Sequence, residues 1–152
     1  RIGLYPGVSC MFKCTFCGRN YDAVYNRDYA SKGLEKFKKI IDEAPHNDPW
    51  RFFISGGLEP LTNPYLGDLI DYLKLKNFKA AIYTNGYMLT DKYLKKNDSI
   101  FSLDSLRISF YGVNDEETFS VTRKKKSFDI VVGNIVNYLK LKLEKKSQTS
   151  FQ

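Results

Sequence analysis

Four times along this chain a short apolar stretch gives way to a polar or glycine-rich loop, then to a helix with one apolar stripe. Nothing else in the sequence constrains the fold as tightly. Strands that alternate with helices pair in parallel through right-handed crossovers, and a parallel sheet needs its faces covered. Strands are expected over 2–8, 51–55, 79–84 and 106–111. The first helix is expected over 34–44, with Leu34, Phe37, Ile41 and Ala44 on one stripe. The second starts at Asn63 as N-cap and Pro64 as first helical residue, and repeats Leu66, Leu69, Ile70 and Leu73. Thr90 caps a weaker third helix through Tyr93 and Leu94. Ser127 caps a long fourth one, with Phe128, Val132, Ile135 and Leu139 toward the sheet and Ile130, Tyr138 and Leu141 on another side. Burying such side chains contributes roughly 1.5–3 kcal/mol each before entropy costs, so that helix requires a sheet beneath it. The fold class is therefore α/β, with about four strand–helix units.

In a parallel sheet the loops that follow the strands share the carboxyl-terminal edge, where α/β proteins build their sites. The first of these loops holds Cys10, Cys14 and Cys17, and the second Gly56-Gly57-Leu58-Glu59-Pro60. Thr84-Asn85-Gly86 ends the third strand, and Ser109-Phe110-Tyr111-Gly112 the fourth. Packing alone does not account for four polar or glycine-rich loops on one rim.

The three cysteines, the only ones in the chain, fall within eight residues as C-x-x-x-C-x-x-C. Four-iron clusters are normally held by four thiolates. Three in a tight loop leave one iron open, as a reactive metal site requires. Two other readings stand beside this one. Zinc would need a fourth ligand such as His46, the only histidine, which falls in a loop on the opposite edge and has no second cysteine pair to work with. Three free buried thiols are the other reading, in a loop made polar by Lys13, Thr15 and Gly18.

C-M-F-K-C-T-F-C resembles the signature of the radical S-adenosylmethionine superfamily, including the aromatic Phe16 before the third cysteine. The resemblance implies a parallel (βα)6 barrel, of which about four units are visible here. It also implies a [4Fe–4S] cluster on Cys10, Cys14 and Cys17. S-adenosylmethionine would be cleaved there to a 5′-deoxyadenosyl radical that abstracts a substrate hydrogen, and Phe16 would meet the adenine mainly through its backbone. Ser55-Gly56-Gly57-Leu58-Glu59-Pro60 is similar to the family's G-G-E-P loop, with Leu58 inserted. That loop implies contacts of Gly56, Gly57 and Glu59 with the methionyl ammonium. Read on their own, the glycines let backbone approach a ligand, or make a turn. Thr84 and Asn85 match a T-N-G ending of the third strand, although Asn-Gly is also a common turn. Ser109 matches the position that meets the ribose; it shares a strand face with Arg107 and Tyr111. Arg123 matches an arginine that reaches the carboxylate, or makes a surface ion pair.

The resemblance further implies a flavodoxin- or ferredoxin-like electron donor and a peptide or sugar-derived small-molecule substrate. Residues 1–146 read as an incomplete core domain, and 147–152 as a frayed tail or the start of a missing segment. A downstream segment or an oligomer partner is expected to complete the barrel. A non-catalytic iron–sulfur carrier or interaction module competes with the enzyme reading, but needs no glycine-rich binding loops. An RNA-modifying enzyme is a third reading, drawn from the net charge of +7. Apart from Lys124–Lys126 and Lys145–Lys146 those charges are scattered, as on a solvated basic surface. Tyr21, Tyr25 and Tyr29 either line a substrate entrance or pack on the rim. No apolar run suits a membrane, and reduced thiols fit a cytoplasmic address.

Overall fold

The computed structural model describes residues 1–18 and 22–152. Its strands are β1 (Ile2–Leu4), β2 (Phe52–Ile54), β3 (Ala81–Thr84), β4 (Ser105–Ile108) and β5 (Ser150–Phe151). They lie side by side in that order, every neighbouring pair parallel. The helices are α1 (Arg27–Glu43), α2 (Leu66–Leu75), α3 (Asp91–Lys96), α4 (Asp115–Thr122) and α5 (Ser127–Glu144). The α/β parallel architecture is as expected, with five strands where four were expected.

Side chains alternate across the sheet. Leu4, Phe52, Ile54, Ile82 and Leu106 turn inward and are no more than 1% exposed, packed with Leu34 and Ile41 of α1 and Leu66, Ile70 and Leu73 of α2. Gly3, Phe53, Tyr83 and Arg107 fall on the opposite face, outside that core. β1 and β4 end before their apolar runs do, where the chain turns onto the rim.

Four expectations are corrected. The first helix begins seven residues early, because the Asn26 side chain accepts from the Tyr29 amide and caps it. Asn63 does not open α2: its amide donates to the Pro6 carbonyl at 2.7 Å while its oxygen accepts from the Tyr65 amide, after a 3₁₀ turn over Pro60–Thr62. The connection 112–126 contains α4, capped by the Asn114 side chain on the Glu117 amide and carrying Asp115, Glu116 and Glu117 in its first turn. Acids there suit the positive end of the helix dipole, so Asn114-Asp115-Glu116-Glu117 was a usable start signal.

The fourth correction concerns the end of the chain. The tail is not frayed. Ser147 and Thr149 hydroxyls reach the Phe101 carbonyl, and the amides of Ser150 and Gln152 donate to Asp104 and Leu106 carbonyls. Phe151 stacks on Tyr138, which is fully buried against Phe101, so α5 is rotated from the expected orientation. Val131 and Tyr138 face in, whereas Val136, Leu139 and Leu143 are exposed. Lys126, in left-handed conformation, precedes the helix, and Ser127 is its buried first residue.

Candidate active site

The loops after β1 to β4 meet in a cleft of about 210 Å³ at the carboxyl-terminal edge. Cys10, Cys14, Cys17, Phe16, Gly56, Gly57, Glu59, Thr84, Asn85 and Ser109 all line it. Eighty or more residues of sequence separate some of these side chains, and the sheet alone brings them together. Arg123 is not among them. It ends α4 in left-handed conformation, exposed and outside the lining. His46 is also elsewhere, stacked on the core residue Phe78 at 4.6 Å, which removes the fourth ligand a zinc site would need.

The cysteine loop is shaped by packing from below and from one side. Phe12 is 2% exposed and meets the rings of Tyr87 and Tyr111 edge-on. The amides of Lys13 and Thr15 donate to the Thr122 and Val121 carbonyls, the last turn of α4, at 2.8 and 3.0 Å. A helix end leaves its carbonyls unpaired, and the loop supplies the missing donors. Asn85 sets its side-chain amide 3.5 Å from the Met11 sulfur and 3.8 Å from that of Cys10.

Burial pushes the Cys10 thiol up, and burial with the neighbouring charges of Cys10 and Cys17 pushes Cys14 up to about 11. Thiols so placed stay protonated in the polypeptide alone, and a coordinated cation reverses that preference. Among the described residues no three side chains are spaced to hold a single metal ion. A four-iron cluster asks for something different, since each thiolate holds a different iron. Three cysteines converging on one cleft meet that requirement in donor type and number.

The glycine loop is fixed by Glu59, which is 4% exposed. One carboxylate oxygen accepts from the Leu61 amide at 3.0 Å and the Thr84 hydroxyl at 2.5 Å; the other accepts from the Asn85 amide at 2.9 Å. Burial raises its pKa, against the pull of these donors. The side chain thus staples the second loop to the third, and its reach is spent on the protein itself. Gly57 takes a φ of 103°, open to glycine alone.

Two residues that sequence reasoning missed complete the joint. The Thr62 hydroxyl accepts from the Val8 and Ser9 amides, and a Cβ on Gly7 would sit 2.5 Å from the Leu58 backbone. Neither belongs to a recognisable motif. Ser109 pairs with Tyr111, whose hydroxyl is pushed up by burial. Tyr25 and Tyr29 stack at 4.3 Å beside a separate hollow of about 530 Å³ against α1; Tyr21 lies outside the described residues. That hollow is larger but contains none of the cysteines. No helix among the described residues is long and apolar enough to cross a membrane.

Comparison with known proteins agrees with this geometry. The chain is 40% identical over 146 residues to the dTDP-4-amino-4,6-dideoxy-D-glucose ammonia-lyase of Streptomyces venezuelae, covering 96% of this chain and 30% of that protein. It is 30% identical over 121 residues to an S-adenosylmethionine-dependent nucleotide dehydratase of Lacinutrix mariniflava, covering 75% of this chain and 24% of the other. The chain thus spans under a third of the length of these curated relatives. Among solved structures, Streptococcus suis SuiB bound to its precursor peptide SuiA superposes with a TM-score of 0.66 at 14% identity, over 98% of this chain and 31% of that one. Residues 4–150 match the Radical SAM superfamily, a family that implies a four-iron cluster and S-adenosylmethionine. The cysteine spacing, the parallel sheet and these matches all lead to one assignment: the chain belongs to the radical SAM superfamily.

Proposed function

We propose that Cys10, Cys14 and Cys17 hold a [4Fe–4S] cluster and that the cleft beside them binds S-adenosylmethionine. The observation that carries this reading is the convergence of three thiols with the Gly56-Gly57 backbone, Thr84, Asn85 and Ser109 in one cleft. When bound, cluster and S-adenosylmethionine together supply the electron and the sulfonium whose cleavage gives methionine and a 5′-deoxyadenosyl radical, the species that takes a substrate hydrogen. The protein's part is to bind and orient. Backbone carbonyls at Gly56 and Gly57 accept from the methionyl ammonium, and the Ser109 hydroxyl meets the ribose. Phe16, exposed on the rim and tilted against Tyr111, covers the adenine. Glu59 acts one step back, by holding Asn85 and the glycine loop in place. Arg123, away from the cleft, is left out of this set.

The substrate is a sugar-derived small molecule, most simply a sugar nucleotide, a reading supported by the 40% identical relative. A flavodoxin- or ferredoxin-like donor supplies the electron in a reducing, cytoplasmic setting. Further strand–helix units, from the same chain or a partner, cover the exposed α5 residues Val136, Leu139 and Leu143. The test is a spectrum of the reduced, cluster-loaded protein with and without S-adenosylmethionine. Binding at an open iron shifts the signal. An unchanged spectrum defeats the proposal and favours a closed electron carrier.

A further inference from the structure

Arg107 stands in the middle of the sheet face turned away from the core, and Arg1 lines the same hollow at its border. Arg107 of β4 lies directly beside Tyr83 of β3. Its guanidinium donates to the Tyr83 hydroxyl at 2.8 Å and lies 5.2 Å from the centre of that ring, while Phe53 meets Tyr83 edge-on at 6.0 Å. These three side chains and Ser105 border a hollow of about 410 Å³. Tyr83 also lines the cysteine cleft, so the hollow and the cleft adjoin at its ring.

Among the described residues no carboxylate forms an ion pair with Arg107. Asp104, the acid that lines it, is already engaged by Lys74 at 2.7 Å, Lys79 at 3.4 Å and the Ala80 amide at 2.9 Å. Tyr83 takes one guanidinium proton and offers no charge. A guanidinium has five N–H donors in a planar fork that matches a phosphate or carboxylate edge, and only one donor is used here. Because the Tyr83 oxygen accepts from Arg107, its own O–H is free to donate to the same ligand. On the same strand face, two residues earlier, the Ser105 hydroxyl is buried without a hydrogen-bond partner among the described residues. The site is therefore cationic, rich in spare donors and next to the cofactor cleft.

We propose that Arg107 and Tyr83 anchor the phosphate of the substrate, the diphosphate of a sugar nucleotide, so that the sugar lies toward the cleft. This rests on the proposed reading of the cleft as the reaction site. A planar fork pairing two phosphate oxygens fixes direction as well as position, which a lysine point charge does not. Neither residue touches the cysteines, so the anchor works whether or not the cluster is present.

Calorimetric titration of the cluster-free protein with thymidine diphosphate, and separately with inorganic phosphate, tests it. Arg107→Gln is expected to weaken thymidine diphosphate binding by about tenfold or more, the usual scale for losing a charge-assisted bidentate contact. Arg107→Lys recovers part of the loss and Tyr83→Phe gives a smaller one. Lys36→Gln, a basic residue in the other hollow, leaves affinity unchanged. Inorganic phosphate binding with the same Arg107 dependence is expected too, only weaker. Equal affinity in Arg107→Gln and the parent, or no binding by the parent, overturns the anchor. Circular dichroism of each variant separates loss of site from loss of fold. The cluster spectrum with S-adenosylmethionine reports on the cleft independently, so an anchor that fails beside a responding cluster leaves the cleft reading intact.

Discussion

The two loops that face each other across the cleft are held in opposite ways. The glycine loop is stapled by side chains close to it in the fold and the sequence: Glu59 binds Leu61, Thr84 and Asn85, and Thr62 reaches back to Val8 and Ser9. The cysteine loop has two buried side chains, Phe12 and Cys14, and two backbone hydrogen bonds to the end of α4, at Val121 and Thr122. One loop is held by side chains it supplies itself, Glu59 and Thr62. The other is held by an element a hundred residues away. The loop proposed to receive a cluster is thus braced by a helix end, while the loop proposed to hold S-adenosylmethionine is tied to its neighbours by its own side chains.

The contrast breaks most completely at a thiol. Cys14→Ala is expected to drop iron to background after anaerobic reconstitution and to abolish 5′-deoxyadenosine formation, with the far-ultraviolet dichroism unchanged, since Cys14 lies outside the main core. Normal iron in that variant removes the cluster assignment. Next in size is Gly57→Val. A β-branched residue at φ 103° costs about 1–3 kcal/mol in strain, and the side chain keeps a ligand off the backbone. S-adenosylmethionine affinity should fall by about tenfold, or 1.4 kcal/mol, or more. An unchanged affinity makes the loop a simple turn.

Two milder changes separate the loops. Glu59→Gln puts an amide where three donors converge and leaves at least one unpaired, for about 1–3 kcal/mol of stability in urea. Thr122→Val removes the hydroxyl that accepts from the Lys124 amide and meets Ser127 at the buried α4–α5 corner, at about 1 kcal/mol. Its sharper signature is faster alkylation of Cys10, Cys14 and Cys17, while Glu59→Gln mainly lowers global stability. Equal alkylation in the two variants dissolves the distinction.

The smallest effect lies away from both loops. Burial alone would raise the Asp104 carboxyl, but Lys74, the Ala80 amide and Lys79 outweigh it and hold it below the usual range. Its folded value is thus depressed. The stability it lends is complete above the unfolded value of about 3.9 and is lost as pH falls through the folded one. Asp104→Asn should flatten that acid limb and cost about 1 kcal/mol at neutral pH, a modest figure for a partly exposed pair. A limb of unchanged slope in the variant assigns it to other carboxylates.

Most of the fold, and which residues gather on the rim, are legible in the sequence because both are written locally. Leu66, Leu69, Ile70 and Leu73 repeat at helical spacing and are buried as that spacing demands, and the cysteines sit within one loop. What escaped was set by distant partners. β5 is two residues long and gains its strand conformation only by pairing with β4, so it has no periodicity to detect. Ser147-Gln148-Thr149-Ser150 reads as a solvated tail, yet Thr149 is 2% exposed because its hydroxyl finds the Phe101 carbonyl. α4 has almost no apolar stripe and is held by its cap and its corner with α5. The glycine-loop motif points Glu59 at a ligand, but it cannot reveal that the carboxylate is taken up by Leu61, Thr84 and Asn85.

The tie between the cysteine loop and α4 also has a consequence for biogenesis. Ribosomes add about 5–20 residues each second, so Val121 and Thr122 leave the ribosome several seconds after Cys17 has done so. During that interval the nascent thiols lack the carbonyls that shape their loop. A cluster delivered before that point would meet a cysteine loop without its two hydrogen bonds to α4. Vectorial synthesis thus places the docking of α4 before the cysteine loop can take the shape these two hydrogen bonds give it.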